Sequence, residues 1–204
     1  MNNILYYLSK FLKKARFSAI KNSKIDSTSK VESGSLIINS IFGKYSYCGY
    51  NCEIINTEIG SFCSISNDVK IGGEQHPLNW VSTSPVFYKG RDSINFKFSS
   101  FDKPTPKQTI IDSDVWIGSN VLIKQGVKIG VGSVIGMGSV VTKDVKPYSI
   151  IAGNPAVLIR KRFDDATIEI LLKSSWWKLT NEEMMKIAKY FNNPSEFFNY
   201  QINL

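Results

Sequence analysis

Aliphatic residues recur at every sixth position over a long stretch of the chain, residues 111–152. Written in sixes, this stretch reads IDSDVW, IGSNVL, IKQGVK, IGVGSV, IGMGSV, VTKDVK and PYSIIA, and a branched aliphatic residue opens six of the seven blocks. On a helix of 3.6 residues per turn, a six-residue repeat would spread its apolar side chains over the whole surface. Short extended strands favour β-branched residues and can keep the register. The pattern therefore predicts a mainly β solenoid, in which stacked coils bury a continuous core.

The same repeat begins earlier, near Phe42, and is shortened once at residues 54–58. Between residues 73 and 110 it stops for about forty residues, which is long for a loop in a compact domain, and such loops commonly carry function. The insertion is rich in tryptophan, tyrosine and phenylalanine, and it holds His76, the one histidine of the sequence. We therefore expect an ordered loop with a functional role.

These patterns divide the chain into three parts. We expect an N-terminal amphipathic helix and a Ser- and Lys-rich connection at residues 1–35, a β-helix at 36–160 with the loop insertion at 73–110, and a helical tail at 161–204. The apolar face of the first helix lies beside a basic run. Docking on the body of the protein is the favoured position for this helix, and a neighbouring subunit or anionic lipid are the alternatives.

Composition narrows the function classes. The formal net charge of +8 fits a solvated basic exterior, a membrane surface or a polyanionic partner, and we expect no nucleic acid. Cys48, Cys52 and Cys63 are expected to be reduced core residues, and one histidine without a CxxC pair predicts no metal site. The sequence contains no apolar run of about 20 residues, and we expect no membrane-spanning segment and no signal peptide. We expect a cytoplasmic protein, with peripheral contact at the inner face of the membrane as the alternative.

Six segments carry a resemblance to a known family. They are GSFCSI at 60–65, HPLNWVSTSPVFY at 76–88, DVWIG at 114–118, VVTKDV at 140–145, GNPA at 153–156 and RKRF at 160–163. Together they resemble the hexapeptide-repeat acyltransferases, and the nearest branch is similar to the xenobiotic acetyltransferases, which include type B chloramphenicol and streptogramin enzymes. The resemblance covers most of the chain. It implies a left-handed parallel β-helix, acetyl-CoA as acyl donor, and a homotrimer with active sites between subunits.

The resemblance implies that His76 is the catalytic base, because the family's histidine lies on the loop that interrupts the repeats, four residues before a tryptophan, here Trp80. A neutral imidazole can take the proton of an acceptor hydroxyl or amine, which then attacks the thioester carbonyl. Trp80 and Tyr88 are expected to bind the acceptor. Glu74 is near enough in sequence to orient the imidazole, and a solvated carboxylate is an equal alternative.

The residues of the coenzyme site are inferred only from positions of this sequence that match the family's motifs. The resemblance implies Ser119 and Met137 beside the pantetheine arm, Thr142 and Lys143 further along the coenzyme, and Arg160 at a phosphate, which suits a guanidinium group. Structural alternatives remain: Ser119 and Thr142 as corner residues of the solenoid, and Arg160 as a solvated charge.

The expected function is acetyl transfer from acetyl-CoA to a hydroxyl, or an amine, of a sugar in surface polysaccharide modification. Two features favour a glycan acceptor over a small-molecule drug: the basic N-terminal segment, and the segment at 48–58, which is shorter than its counterpart in the antibiotic enzymes that the sequence resembles. One alternative is an antibiotic O-acetyltransferase of the chloramphenicol or streptogramin type. Others are a trimeric β-helix scaffold without activity and an enzyme that transfers a larger acyl group.

Overall fold

The computed structural model describes residues 2–73, 75–90 and 92–202. Short strands dominate the chain, with helices before and after them. The strands are β1 (Ala19–Lys21), β2 (Lys24–Ile25), β3 (Lys30–Val31), β4 (Leu36–Ile38), β5 (Ile41–Phe42), β6 (Tyr47–Cys48), β7 (Glu53–Ile55), β8 (Thr57–Ile59), β9 (Ser64–Ile65), β10 (Lys70–Ile71), β11 (Thr109–Ile111), β12 (Trp116–Ile117), β13 (Leu122–Ile123), β14 (Lys128–Ile129), β15 (Val134–Ile135), β16 (Val140–Val141), β17 (Ser149–Gly153) and β18 (Ala156–Lys161). The helices are α1 (Asn2–Lys14), α2 (Asp165–Ser174), α3 (Asn181–Ile187) and α4 (Pro194–Ile202), with 3₁₀ turns at Pro85–Phe87, Trp176–Lys178 and Ala188–Tyr190.

The strands form three sheets, which we call faces A, B and C. Face A contains β1, β4, β7, β10, β13 and β16, face B contains β2, β5, β8, β11 and β14, and face C contains β3, β6, β9, β12, β15, β17 and β18. The chain visits the three faces in turn, and neighbouring coils pair in parallel, for example β4 with β7 and β12 with β15. The hairpin of β17 and β18 is antiparallel and ends face C. This arrangement confirms the predicted parallel β-helix.

The coil changes length at the loop insertion. Before the loop, strand partners lie seventeen residues apart, as for Leu36 and Glu53. After it they lie eighteen apart, as for Trp116 and Val134, except in the last coil, where Val134 pairs with Ile150. The shortened block at residues 54–58 is therefore one instance of a five-residue step between faces A and B. The insertion itself replaces one corner, between β10 on face A and β11 on face B.

The β-helix begins earlier than the predicted boundary at residue 36. Strands β1, β2 and β3 pair with β4, β5 and β6, so residues 19–31 build a first coil and are not a plain connection. Its inward residues Ile20, Ile25 and Val31 follow the five- and six-residue steps of the seventeen-residue coil. A search for a strict six-residue repeat misses this seventeen-residue spacing. The many Ser and Lys residues at outer and corner positions make the spacing harder to recognise.

The core is a column of aliphatic side chains that point inward from each coil. On face C, for example, Cys48, Ile65, Ile117 and Ile135 are all buried at successive levels. The three cysteines are free and buried, as predicted. Burial raises the pKa of the Cys63 thiol to about 12, so this side chain acts as a small apolar group and is a poor nucleophile.

The C-terminal helices pack along the side of the solenoid, at the corner between faces B and C, where Trp176 contacts Phe62 and Asn181 accepts a hydrogen bond from Tyr45. They pack with its last coils in a second apolar cluster that includes Val131, Tyr148, Leu171, Trp176 and Phe197. A capping box begins α3, because the Thr180 side chain accepts from the Glu183 amide and the Glu183 carboxylate accepts from the Thr180 amide. This confirms the expected helical tail.

The N-terminal helix α1 does not dock on the body of the protein through its apolar face, contrary to the favoured expectation. Its large apolar side chains are exposed. Contacts with the first coils come from the C-terminal end of the helix instead, where Lys13 Nζ lies 4.0 Å from the centre of the Tyr50 ring. None of the helices in the described part of the chain combines the length and apolarity needed to cross a membrane.

Candidate active site

The loop insertion leaves the β-helix through two glycines that the backbone requires. Gly72 has a φ of +80°, and a Cβ built there would lie 2.0 Å from the Ile55 carbonyl oxygen. Gly73 follows with a φ of +108°. The start of the loop is then tied to the next coil, because the Gln75 side chain donates to the Gln125 carbonyl over 3.1 Å. This anchor fixes the position from which His76 projects.

Two groups fix the orientation of the His76 imidazole. Its Nδ1 lies 2.8 Å from the Thr83 carbonyl oxygen and 3.0 Å from the Tyr88 hydroxyl. Because a carbonyl oxygen can only accept a hydrogen bond, the hydrogen-bond network assigns the proton to Nδ1. Nε2 of the exposed ring then carries the free lone pair. This is the tautomer and orientation that a general base requires.

The aromatic residues of the loop support this histidine. Tyr88 is only 4% exposed, and its ring lies edge-on to Trp80, with centroids 6.1 Å apart. The Trp80 ring in turn lies edge-on to Phe101 at 6.0 Å. The structure thus places Tyr88 behind the imidazole, where it orients His76. Glu74, the other candidate for that task, lies outside the described residues.

Two clefts flank the loop. One of about 300 Å³ is lined by His76 together with Gln75, Pro77, Leu78, Asn79 and residues 103–107. The other, of about 620 Å³, has Trp80, Phe87 and Phe101 in its wall. Asn79 borders both clefts, so the cleft with the aromatic wall adjoins the cleft that His76 lines.

The five candidate coenzyme residues lie on the outside of the β-helix. Ser119 and Met137 occupy the corner between faces C and A on successive coils, and Ser119 Oγ is 2.6 Å from Ser66 Oγ in the coil before. Met137 is 78% exposed. Thr142 and Lys143 are exposed at the next corner, between faces A and B. Arg160 is exposed on β18, where it donates to the Lys161 carbonyl.

Within one chain Ser119 and Met137 are not brought to the histidine. The loop starts at the corner between faces A and B, whereas Ser119 and Met137 lie across face A at the opposite corner. None of the five lines either cleft beside the loop, as far as the described residues show. A single chain therefore carries the base and the corner of Ser119 and Met137 at different places.

Sequence reasoning missed the groups that hold the site together. Thr83 acts through its main-chain carbonyl, and Gln125 likewise through its carbonyl, so their side-chain identities give no signal.

In the RKRF segment, Arg162 has a structural role, because it donates to Asp114 Oδ2 at 2.9 Å and to the Gly132 carbonyl at 2.7 Å. Burial raises the pKa of the Asp114 carboxyl, and the Arg162 guanidinium opposes that shift.

Comparisons with known proteins agree with this architecture. The family described as hexapeptide repeat of succinyl-transferase matches residues 108–143. The chain is 40% identical over 158 residues to a chloramphenicol acetyltransferase of Agrobacterium fabrum, covering 68% of this chain and 75% of that protein. It is 37% identical over 146 residues to a polysialic acid O-acetyltransferase of Escherichia coli, covering 69% of this chain and 41% of that protein. Among solved structures, an N-acyltransferase from Bacillus cereus shares the fold, with a TM-score of 0.53, 20% identity, and coverage of 83% and 95% of the two chains.

A parallel β-helix of hexapeptide coils, interrupted at one corner by a loop that presents a histidine, defines an acyltransferase class. The similarity to the Agrobacterium enzyme makes the assignment specific. The chain belongs to the hexapeptide-repeat acyltransferases, in the branch of the chloramphenicol acetyltransferase-like xenobiotic enzymes. This confirms the predicted family, and with it an acetyl-CoA-dependent acetyltransferase.

Proposed function

We propose that this chain transfers acetyl from acetyl-CoA to a hydroxyl group of a saccharide, with His76 as the general base. The observation that carries the proposal is the hydrogen bond from Nδ1 to the Thr83 carbonyl, which leaves Nε2 open to an acceptor. Nε2 takes the proton of the acceptor hydroxyl while that oxygen attacks the thioester carbonyl carbon. The C–S bond then breaks, and the imidazolium returns the proton to the coenzyme sulfur, so that the products are an O-acetyl ester and CoA.

The proposed site lies between two subunits of a homotrimer. The position of Ser119 and Met137, across face A from the corner that holds the loop, supports this, because a neighbouring chain could place its own corner beside the loop. Exposed apolar side chains around that corner also support it: Trp116, Met137, Val157, Leu158 and Ile159 are exposed in the single chain. A cluster of this kind on a protein surface is typical of an interface or a ligand site.

In this arrangement the coenzyme would extend along the edge of the β-helix. Ser119 and Met137 would contact the pantetheine arm, and Gly118 lets two coils approach closely there, since a Cβ at Gly118 would lie 2.6 Å from the Met137 amide nitrogen. Thr142 and Lys143 would meet a more distant part of the coenzyme. Arg160 would bind phosphate through its guanidinium group.

The acceptor that we favour is a glycan. The wall of Trp80, Phe87 and Phe101 provides aromatic surface for the apolar faces of a sugar ring. The net charge of +8 favours an anionic acceptor, and the related Escherichia coli enzyme is named for acetylation of polysialic acid. The second candidate is an antibiotic O-acetyltransferase, which the 40% identity to a chloramphenicol acetyltransferase supports.

An acceptor panel separates these functions. Release of CoA from acetyl-CoA would be measured with oligosialic acid, neutral hexosides, N-acetylhexosaminides, chloramphenicol and a streptogramin. We expect turnover with at least one saccharide and little with either antibiotic. Efficient turnover of an antibiotic alone would establish the second candidate. If acetyl-CoA fails to raise the melting temperature, as a specific ligand must, the chain is a scaffold and the proposal is wrong.

A further inference from the structure

The N-terminal helix α1 carries an apolar face that the other residues described by the structure leave uncovered. Residues spaced three and four apart share one side of a helix, and on α1 that side is formed by Ile4, Leu5, Tyr7, Leu8, Phe11 and Leu12. Each of these side chains is between 50% and 74% exposed. Packed helices of water-soluble domains bury such a stripe, so this face is built to contact something outside the chain.

The charge around this face is of one sign. The first 25 residues contain six cationic side chains and no Asp or Glu, the first acidic residue being Asp26. They therefore contribute six of the eight net positive charges of the chain. On the helix itself, Lys10, Lys13 and Lys14 lie on the side away from Leu8. A surface that complements this segment has an apolar interior to receive the apolar face and anionic groups at its boundary with water to pair with the lysines.

The contacts of α1 hold this face away from the β-helix. The Lys13 ammonium lies over the Tyr50 ring, the Ser33 hydroxyl donates to the Lys14 carbonyl at 3.2 Å, and Arg16 donates to Asn51 at 3.0 Å. The first two of these contacts involve the polar side and the C-terminal end of the helix, and Arg16 follows two residues after that end. The body of the protein thus fixes the helix without using its apolar side chains.

We propose that α1 binds the surface of an anionic lipid membrane. The apolar face inserts at the boundary of headgroups and acyl chains, and the lysines lie among the lipid phosphates, a geometry typical of basic interfacial helices. A second copy of the helix is the poorer occupant, because it would cover the apolar face but leave the six cationic side chains without an anionic partner, since the segment itself carries no Asp or Glu. The proposal uses none of the residues assigned to catalysis and does not depend on the acceptor.

Vesicle flotation tests the proposal with the full chain. We expect binding to vesicles of phosphatidylglycerol and phosphatidylcholine, and at least about tenfold weaker binding to phosphatidylcholine alone or in 0.5 M salt, where surface charge is screened. Leu8→Glu should weaken binding to the anionic vesicles by at least about tenfold, because a carboxylate replaces an inserted leucine. Ser9→Glu is the matched control, since it makes the same charge change at the adjacent position on the polar side, and it should lower binding by less than about threefold.

Several results would overturn the proposal. Equal losses in Leu8→Glu and Ser9→Glu would mean that charge alone attracts the chain and that the apolar face does not insert. Absence of vesicle binding, together with a smaller light-scattering mass for Leu8→Glu than for wild type, would assign the face to contact between copies. His76→Ala should bind vesicles like wild type, and Leu8→Glu should keep the acetyl-CoA-induced rise in melting temperature, so failure of membrane binding is distinguishable from failure of the enzyme assignment.

Discussion

Replacing His76 by alanine is expected to lower kcat for acetyl transfer by about 10²- to 10⁴-fold, the usual contribution of a positioned general base. The reason is specific to the loop: with Nδ1 donating to the Thr83 carbonyl, Nε2 is the acceptor for the hydroxyl proton. Binding of acetyl-CoA should be unchanged, because none of the proposed coenzyme residues lines a cleft with His76 in the described part of the chain. The measurement is acceptor-dependent CoA release, with coenzyme affinity determined separately by calorimetry.

Tyr88→Phe is the matched control for this prediction. It removes the hydroxyl that lies 3.0 Å from Nδ1 but leaves the Thr83 carbonyl, which by itself fixes the tautomer. We expect at most about a tenfold loss in kcat, in line with the loss of a single hydrogen bond. If His76→Ala retained more than about a tenth of the wild-type kcat, another group would be the base, and the assignment of His76 would fail.

Ile117→Ala should lower the free energy of unfolding by about 2–5 kcal/mol, as expected for truncation of a fully buried isoleucine. Ile117 is 0% exposed and lies between Ile65 and Ile135 of the neighbouring coils on face C. Ladder hydrogen bonds hold strands about 4.8 Å apart, so the coils cannot close over the cavity that the substitution leaves. Denaturant unfolding at a fixed protein concentration measures the loss.

Ile20→Ala tests whether burial is the cause of the large loss of stability expected for Ile117→Ala. Ile20 pairs with Ile37 in the first coil of face A, so it holds an inward position of the same kind. Because it is 49% exposed at the open end of the solenoid, its truncation should cost less than about 1 kcal/mol. Equal losses of unfolding free energy for Ile117→Ala and Ile20→Ala would contradict the conclusion that the core is open to solvent at its N-terminal end.

The sequence predicts most of the β-helix because the fold is specified locally. Each coil repeats the same inward aliphatic positions, so one register, read from residues 111–152, extends to the neighbouring coils. The prediction from this register fails at the first coil, where the step from Ile20 to Ile25 is five residues and not six, and where one end of the core is exposed. It also fails for α1, since amphipathic spacing predicts a helix but not what its apolar face contacts.

The candidate site could be predicted only in part. His76 was identifiable because it is the one histidine and lies on the loop that interrupts the repeats. Its orientation was not, because it depends on the main-chain carbonyl of Thr83 and on the fold of a loop without periodicity. Tyr88 was expected to contact the acceptor, and its burial behind the imidazole follows from packing that involves Trp80 and Phe101.

The central claim is that each active site takes His76 from one chain and the coenzyme corner from its neighbour. Mixed trimers of two inactive variants test it most directly: His76→Ala, and the double variant Met137→Glu/Arg160→Glu, both carrying distinct affinity tags. Random assembly from equal amounts should restore activity at about a quarter of the sites, those with an intact loop facing an intact corner. Restoration to that level, absent from either variant alone, is the predicted result. Purified mixed trimers without activity would contradict the claim and place the base and the coenzyme residues on the same chain.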